Sequence, residues 1–361
     1  MFKQAGAFVL AAVVSAGLAA TAWRPVQAAT ASRLPVRLAD REFWALAADL
    51  SEAGGTFRSD NLLSNESRLQ FIIPDLIKTA KRGGAYIGVG PEQNFTYIAA
   101  LHPSIAFIVD IRRGNLQLHL MYKALFELSA DRAEFVSRLF SRPRPDAVGI
   151  GATPAEMFAA YSDASPSETL YESNLNAIEH QLVSAHGFAL SSEDLQGIAY
   201  IYHAFYAFGP GINYSSTETG NANVGYRPTY ADLMVATDAA GDARSYLASE
   251  ESFAAVRALQ TRNLIVPVVG DFAGGKAVRA VGAYLRRHEA TVSAFYVSNV
   301  EQYLRLERVW GSFCGNAARL PIDDASMFIR AGRGGRYSRG TALTAELASI
   351  AAEVEGCDRR P

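Results

Sequence analysis

The sequence has only two cysteines among its 361 residues, and it lacks several short motifs that mark common enzyme classes. Neither Cys314 nor Cys357 has a histidine nearby at metal-ligand spacing, so we expect no metal site. No G-x-S-x-G, P-loop or H-E-x-x-H sequence occurs, so a triad hydrolase, a P-loop nucleotidase and a zinc protease are unsupported. Two interpretations of the cysteines remain open, one disulfide or two unpaired thiols.

The chain also lacks a second long hydrophobic run beyond the one at its N-terminus. Lys3 precedes an apolar stretch from Ala5 to Trp23, and residues 24–29 offer a small-residue cleavage site after Ala28. This order predicts a signal peptide over residues 1–28 and a periplasmic or secreted mature protein with no stable membrane span. The alternative is an uncleaved anchor, because the run approaches the ~20 residues that span a bilayer.

Positive charge is not in excess, since 34 Lys and Arg face 36 Asp and Glu for a net charge of −2. Cleavage of the signal peptide would remove two bases and no acid, which leaves the mature chain slightly more acidic. A nucleic-acid partner held by phosphate contacts is therefore not expected. With 49% hydrophobic and 19% charged residues, the composition is that of a globular protein.

What the sequence does have is an alternation of short apolar runs and helical stretches. Predicted strands lie at 85–90, 106–110, 264–271, 291–297 and 326–330, and predicted helices at 41–50, 68–81, 91–100, 115–129, 275–289 and 341–354. This alternation predicts an α/β fold, a Rossmann-like doubly wound and mostly parallel sheet. A large, mainly helical insertion interrupts it.

The predicted organisation has five parts, listed here in chain order. They are a signal peptide at 1–28, a helical segment at 29–82, the first half of the Rossmann-like domain at 83–130, the helical insertion at 131–262, and the second half with a C-terminal helix at 263–361. Aromatic residues cluster within 200–208, which indicates a core for the insertion, with a substrate-binding group as the alternative.

Small or polar residues follow four of the predicted strands, where doubly wound sheets bind their ligands. Gly88 and Asp110 lie 22 positions apart, close to the ~20 expected between a glycine-rich turn and an acid that accepts ribose hydroxyls. Asp271 and residues 298–303 end the later strands. Capping of the following helices is the alternative role for Asp110 and Asp271.

These motifs resemble those of class I S-adenosylmethionine-dependent methyltransferases. Residues 88–90 followed by 108–110 resemble motif I and its ribose-binding acid, and residues 268–271 are similar to the acidic third-strand motif near the adenine. Residues 296–304 resemble the fourth-strand motif at the methyl-transfer face. The block 88–128 also resembles a group of exported bacterial proteins with a methyltransferase-like fold.

The resemblance implies S-adenosylmethionine as cofactor and a small-molecule ligand as partner. The cofactor-binding residues it implies are Gly88, Gly90, Glu92, Asn94, Asp110 and Asp271, and the catalytic residues are Ser298, Asn299 and Tyr303. The expected function is an exported methyltransferase-like protein that binds an adenosyl or nucleoside-type ligand and transfers a methyl group to an unknown substrate. The alternative is a non-catalytic exported binding or scaffold protein that kept this fold.

Two departures from the family pattern keep both alternatives open. Tyr86 stands where the family has an acid that holds the methionine amino group, and Glu92 replaces the third glycine. A carboxylate at 92 either contacts that amino group or obstructs the cofactor. His119 lies in an apolar helix, where a core histidine is the expected role and a general base the alternative.

Overall fold

The computed structural model describes Met1 and residues 33–217, 227–332 and 344–357. Apart from Met1, the predicted signal peptide lies outside these residues. No helix within the described ranges is both long enough and apolar enough to cross a membrane.

A single mostly parallel sheet organises the fold. Its strands are β1 Ala85–Gly88, β2 Ile105–Asp110, β3 Ile265–Val269, β4 Val292–Ser298, β5 Met327–Gly332 and β6 Thr344–Ser349. They lie side by side in the order β3-β2-β1-β4-β5-β6, and only the β5–β6 pair is antiparallel. Every residue of β1, β2 and β3 is buried, as in a sheet covered on both faces. The α/β class and the mostly parallel sheet are confirmed.

Helices connect and cover these strands. In chain order they are α1 Asp40–Leu50, α2 Ile73–Thr79, α3 Gln93–Leu101, α4 Arg113–Leu128, α5 Arg132–Phe140, α6 Pro154–Asp163, α7 Glu168–Glu179, α8 Ser192–Phe208, α9 Tyr230–Val235, α10 Glu250–Thr261, α11 Ala277–Arg287, α12 Val300–Leu306, α13 Trp310–Ala317 and α14 Ile350–Val354. Thr153, Ser191 and Thr229 begin three of them with capping boxes, which satisfy backbone N–H groups at the helix start.

The order of the strands fixes where the helices lie. Parallel crossovers are right-handed, so the connections from β1 to β3 and from β3 to β5 place their helices on opposite faces. Accordingly, α10 packs against α3 and α4, while α13 packs against α11 and α12. In the sequence, helices α4 to α10 all lie between β2 and β3. In the fold, α4 contacts both of those strands as well as α5, α7 and α8.

The C-terminal segment differs from its prediction. One helix was expected over residues 341–354, of which 341–343 lie outside the described residues. The structure instead has β6 followed by α14, and Ser349 caps that short helix. Pairing with the outer edge of β5 gives the β6 backbone its hydrogen bonds, and this tertiary contact overrides the helix propensity of Ala, Leu and Glu.

A disulfide joins the two cysteines. Cys314, in α13, is bonded to Cys357, which follows α14, with their Cα atoms 5.3 Å apart. The bridge closes a loop of 43 positions that contains β5 and β6. It ties the antiparallel edge of the sheet to the helices beside it.

Candidate functional site

The parallel register brings the predicted ligand-binding positions to one edge of the sheet. Gly88, Asp110 and Ser298 end β1, β2 and β4, and Asp271 follows β3. Because these strands are parallel, their carboxyl ends share one edge, which we call the carboxyl edge. The strand order reverses between β1 and β4, where doubly wound sheets bind ligands.

Two glycines shape the turn between β1 and α3. A Cβ atom at Gly88 would lie 1.9 Å from Asn94 Oδ1 and 2.8 Å from the Tyr86 ring, so no larger residue fits without displacing them. Gly90 has a φ of 76°, in the left-handed region that favours glycine. Both glycines are therefore required by the turn itself, whether or not a ligand approaches it.

Asn94 holds this turn together from inside. Its amide donates to three turn carbonyls at 2.8–3.1 Å, and its Oδ1 accepts from the Tyr86 hydroxyl at 2.8 Å. The side chain is fully buried. In this arrangement the polar atoms of Asn94 serve the turn, and none of them faces solvent.

Glu92 is also fully buried, just before α3. Its carboxyl accepts from the Ser64 backbone N–H at 3.2 and 3.3 Å. Burial raises the pKa of Glu92 to about 8, against the opposing effect of backbone hydrogen bonds. The carboxyl is therefore mostly protonated at neutral pH. Its hydrogen bonds go to the backbone of Ser64.

Asp110 forms a nearly buried ion pair with Arg112. Its Oδ1 accepts from the Arg112 backbone N–H and Nε at 2.9 Å each, and its Oδ2 accepts from Nη2 at 2.8 Å. The Arg112 Nη1 donates to the carbonyl of Asp60. Both oxygens predicted to accept ribose hydroxyls are thus already engaged, and Asp110 does not cap α4.

Asp271 has a local role in the turn after β3. Its Oδ1 accepts from the Ala273 N–H at 2.9 Å, and its own N–H donates to Glu52 Oε1 at 2.9 Å. The residue is half-buried, and α11 begins six positions later. Asp271 therefore forms a turn and does not cap that helix.

The three predicted catalytic residues lie at the end of β4 and in α12. Ser298 has a φ of 50°, which is strained for a residue with a Cβ atom. Asn299 is half-buried and precedes α12. The Tyr303 hydroxyl accepts from Arg58 Nη2 at 3.0 Å, and its ring meets Phe57 edge-on.

Ser298 belongs to a buried group of four polar side chains, which we call the Glu66 cluster: Glu66, Gln93, Tyr296 and Ser298. Glu66 Oε1 accepts from the Tyr296 hydroxyl at 2.5 Å and from the Ser298 hydroxyl at 2.6 Å. Gln93 Nε2 donates to the Tyr296 hydroxyl at 3.1 Å. The cluster lies at the β1–β4 junction, and half-buried Ser298 is the member that reaches the surface.

A segment without regular structure, residues 52–66, runs along the carboxyl edge; we call it the edge segment. The Glu52 N–H donates to the Val269 carbonyl at 2.9 Å, and the Gly55 N–H donates to the Ile111 carbonyl at 2.8 Å. Further on, the segment ends at Glu66. It thus passes the ends of β3 and β2 before it reaches the Glu66 cluster.

His119 lies beneath the same turn. It is 2% exposed, and its Nε2 donates to the Gly90 carbonyl at 2.9 Å. Burial lowers the pKa of His119 to about 4, although the bond to Gly90 opposes that shift. A neutral, buried ring that supports the Gly90 turn agrees with the core role expected from the sequence.

No site role was expected for Glu66, Gln93 or the edge segment, and Tyr296 entered only as the first residue of the motif at 296–304. Glu66 stands in a polar stretch with no motif around it, and Tyr296 looks like one more apolar strand residue. Tyr296 is 230 positions from Glu66. Only the fold brings them together, although the closeness of Gln93 to the glycine turn was a usable signal.

Within the described ranges, no group of three or more His, Cys, Asp or Glu side chains is arranged to hold a metal ion. Among the described residues of the candidate site, the Arg112 guanidinium is paired with Asp110, and Arg58 donates to Tyr303.

A family model described as a domain of unknown function, DUF7790, matches residues 62–187 and 215–350. The two matched stretches make up more than half of the chain. The chain belongs to this family. The match includes the Glu66 cluster, the Gly88 turn and Asp110, while most of the edge segment precedes it. No curated protein matches the chain.

Proposed function

We propose that this member of the DUF7790 family is an exported, methyltransferase-like protein that binds a small adenosyl or nucleoside-type ligand at the carboxyl edge. The binding place is the junction of β1 and β4. The strand order supports this choice, because Rossmann folds with the order 3-2-1-4-5-6 bind dinucleotides at that reversal point.

The observation that carries the proposal is a strained serine against an incompletely paired buried carboxyl. Ser298 keeps its φ of 50° while its hydroxyl donates to Glu66. Glu66 Oε2 accepts no hydrogen bond in the described part of the chain. Such backbone strain and such unpaired atoms each cost about 1–3 kcal/mol. Seven non-glycine residues of the described ranges have a positive φ, and Ser298 is the one that ends a strand of the sheet beside an unpaired carboxyl oxygen.

S-adenosylmethionine is the ligand that the methyltransferase resemblance suggests, and the residues fit it in part. The Gly88–Gly90 turn and Ser298 lie at the strand ends that the resemblance assigns to the cofactor. Asp110 does not fit the ribose contact as it stands, because Arg112 takes both of its oxygens. Tyr86 donates to Asn94 instead of supplying an acid. These contacts therefore favour ligand binding over methyl transfer.

The second candidate is a non-catalytic exported scaffold. The Asp110–Arg112 ion pair favours it, as does the edge segment, because a ligand would have to share the edge with both. In that case the family kept the sheet and its glycine turn for stability alone.

Calorimetric titration of the full chain with S-adenosylmethionine, S-adenosylhomocysteine and adenosine separates the two candidates. We expect at least one of the three ligands to bind. A bound ligand at ~100 times its dissociation constant should also add about 2.7 kcal/mol to the free energy of unfolding. Ser298→Ala should weaken this binding, whereas Ser312→Ala, at an exposed position of α13, should not. If none of the three ligands binds, the scaffold candidate stands.

A further inference from the structure

The mostly exposed middle of the edge segment, residues 53–61, lies across the predicted ligand site; we call it the strap. Its Gly55 N–H donates to the Ile111 carbonyl at 2.8 Å, just past the end of β2. Near its other end, the Asp60 carbonyl accepts from Arg112 Nη1. The strap is thus bonded to the same guanidinium that pairs with Asp110, the predicted ribose-binding acid.

The strap also reaches the β1 and β4 sides of the carboxyl edge. A Cβ atom at Gly90 would lie 3.6 Å from Asn61 Nδ2, so the Asn61 amide lies beside the glycine turn. Arg58 Nη2 donates to the Tyr303 hydroxyl at 3.0 Å, and the Phe57 and Tyr303 ring centroids are 5.4 Å apart. The resemblance assigns both Gly90 and Tyr303 to the ligand site. A ligand in contact with those two residues would therefore meet the strap.

The ends of the strap are anchored more firmly than the strap itself. Just before it, the Glu52 N–H donates to the Val269 carbonyl at 2.9 Å. Just after it, Leu63 is 0% exposed in the hydrophobic core. Between these anchors, the Tyr200 hydroxyl donates to Asp60 Oδ2 at 2.7 Å in an exposed contact. Segments held by exposed hydrogen bonds and few buried apolar contacts open locally at low free-energy cost.

We propose that the strap is an autoinhibitory lid. It occupies the carboxyl edge in the ligand-free protein, and it must swing away between its anchored ends before a nucleoside-type ligand binds. The inference rests on the proposed function and adds its regulation. The measured affinity then equals the intrinsic affinity multiplied by the fraction of open protein. Weakening the strap should therefore tighten binding, which is the opposite of what removing a ligand contact does.

A disulfide can fasten the strap in its observed position. A Cβ atom at Gly55 would lie 3.9 Å from the Ile111 Cβ, within the ~3.5–4.5 Å found in disulfides. Gly55→Cys combined with Ile111→Cys, the locked pair, should therefore form a bond. The second substitution also removes the Ile111 side-chain atoms that would lie 2.6 Å from the new Cβ. Gly55→Ser combined with Ile111→Ser, the serine pair, is the matched control of similar size without a bond.

Two measurements on the full chain compare the locked pair with the serine pair. Calorimetry with S-adenosylhomocysteine and with adenosine should show the locked pair binding at least about tenfold more weakly, because its open fraction is removed. Trypsin cleavage after the exposed Arg58 reports opening without any ligand, since a protease cleaves the locally opened state. The locked pair should be cleaved at least about tenfold more slowly.

Tyr200→Phe tests the lid without a new covalent bond. The variant removes the hydroxyl that donates to Asp60 and leaves the Gly88–Gly90 turn unchanged. It should bind the same ligands about two- to tenfold more tightly than the wild type. Tyr206→Phe, in the same helix at a ring that stacks on Tyr171, should leave the affinity unchanged. Weaker binding by Tyr200→Phe would make Tyr200 a ligand contact and contradict the lid.

The remaining outcomes separate the lid from the proposed function. Equal affinity of the locked and serine pairs would show that the ligand binds with the strap in place, which refutes the lid and leaves the nucleoside site standing. Equal cleavage of the two pairs after Arg58 would show that the strap does not open. Cleavage of the serine pair without binding of either ligand would refute the proposed function, whereas opening of the strap would stand.

Discussion

Two buried polar groups of this protein differ in how their charges are balanced. Between α1 and α4, Glu127 accepts from Lys123 Nζ at 2.6 Å and contacts His186 Nε2 at 2.6 Å, while His186 Nδ1 meets Asp40 at 2.8 Å. We call these four residues the paired network. In the Glu66 cluster, by contrast, the carboxyl accepts from two hydroxyls, and one of these also accepts from the Gln93 amide.

The difference appears in the direction of the pKa shifts. Burial by itself would raise the pKa of Glu127, but the bond to His186 and the charge of Lys123 outweigh it and lower the pKa. For Glu66, burial prevails and the pKa rises. A buried carboxyl with cationic partners keeps its charged form, whereas burial among hydroxyls disfavours that form.

The largest effect is expected from Glu127→Ala in the paired network. Lys123, 1% exposed, would lose its anion, and removing one partner of a buried ion pair costs about 3–5 kcal/mol. Urea denaturation measures this loss. Glu134→Ala, in the half-exposed i,i+4 pair with Arg138, is the matched control and should cost about 1 kcal/mol or less. Equal losses of unfolding free energy in the two variants would show that burial does not make the Glu127–Lys123 pair more stabilising than the Glu134–Arg138 pair.

The Asp110→Ala variant tests whether Asp110, at the carboxyl edge, contributes to stability as the paired network does, or to ligand binding. Because the substitution leaves the nearly buried Arg112 guanidinium with only the Asp60 carbonyl as acceptor, we expect a loss of about 3 kcal/mol in the free energy of unfolding. Equilibrium unfolding measures it, with Asp271→Ala as a control that removes one hydrogen bond of a half-buried turn. An Asp110→Ala protein of wild-type stability that no longer binds nucleosides would instead make Asp110 a ligand contact.

The pH dependence of stability provides a smaller test of the paired network. Burial lowers the pKa of His186, but the bonds and charges of Glu127 and Asp40 outweigh it, so the pKa is raised. Its stabilising contribution is therefore complete below the unfolded value of about 6.5 and is lost as the pH rises through the folded value. Lys123 and Gln181 also face this ring.

Unfolding free energies measured from pH 6 to pH 9 check this sign. The decline with rising pH should be reduced in His186→Gln and kept in His180→Gln, a variant of an exposed histidine. An increase in stability over the same range that disappears in His186→Gln would contradict the assignment.

The smallest effect on stability is expected from Glu66→Gln. Burial already disfavours the charged form of Glu66, and the amide preserves the acceptor for Tyr296 and Ser298, so the change should stay within about 1 kcal/mol of zero. Thermal unfolding gives the value. A loss of several kcal/mol would mean that Glu66 has a charged partner within the chain, and the contrast with Glu127 would disappear.

The fold was largely readable from the sequence because parallel strands are continuous apolar runs. Residues 106–110 and 264–271 show this pattern, and both overlap observed strands. β6 was missed because its residues favour helices and only its pairing with β5 makes it a strand. Strand pairing between distant segments leaves no local signal of that kind.

The site was less readable because its chemistry depends on partners. The spacing of Gly88 and Asp110 located the carboxyl edge. The sequence around Asp110 does not show, however, that Arg112 donates to its carboxylate. Glu66 meets Ser298 across 232 positions. A carboxyl in a polar stretch has the same local sequence whether it ends up exposed or buried.

The most direct test is a crystal structure of the full chain grown with S-adenosylhomocysteine. We expect the nucleoside at the β1–β4 junction, beside the Gly88–Gly90 turn and Ser298. A nucleoside bound elsewhere on the protein would contradict the proposed site. So would crystals grown at saturating ligand whose carboxyl edge holds the edge segment alone.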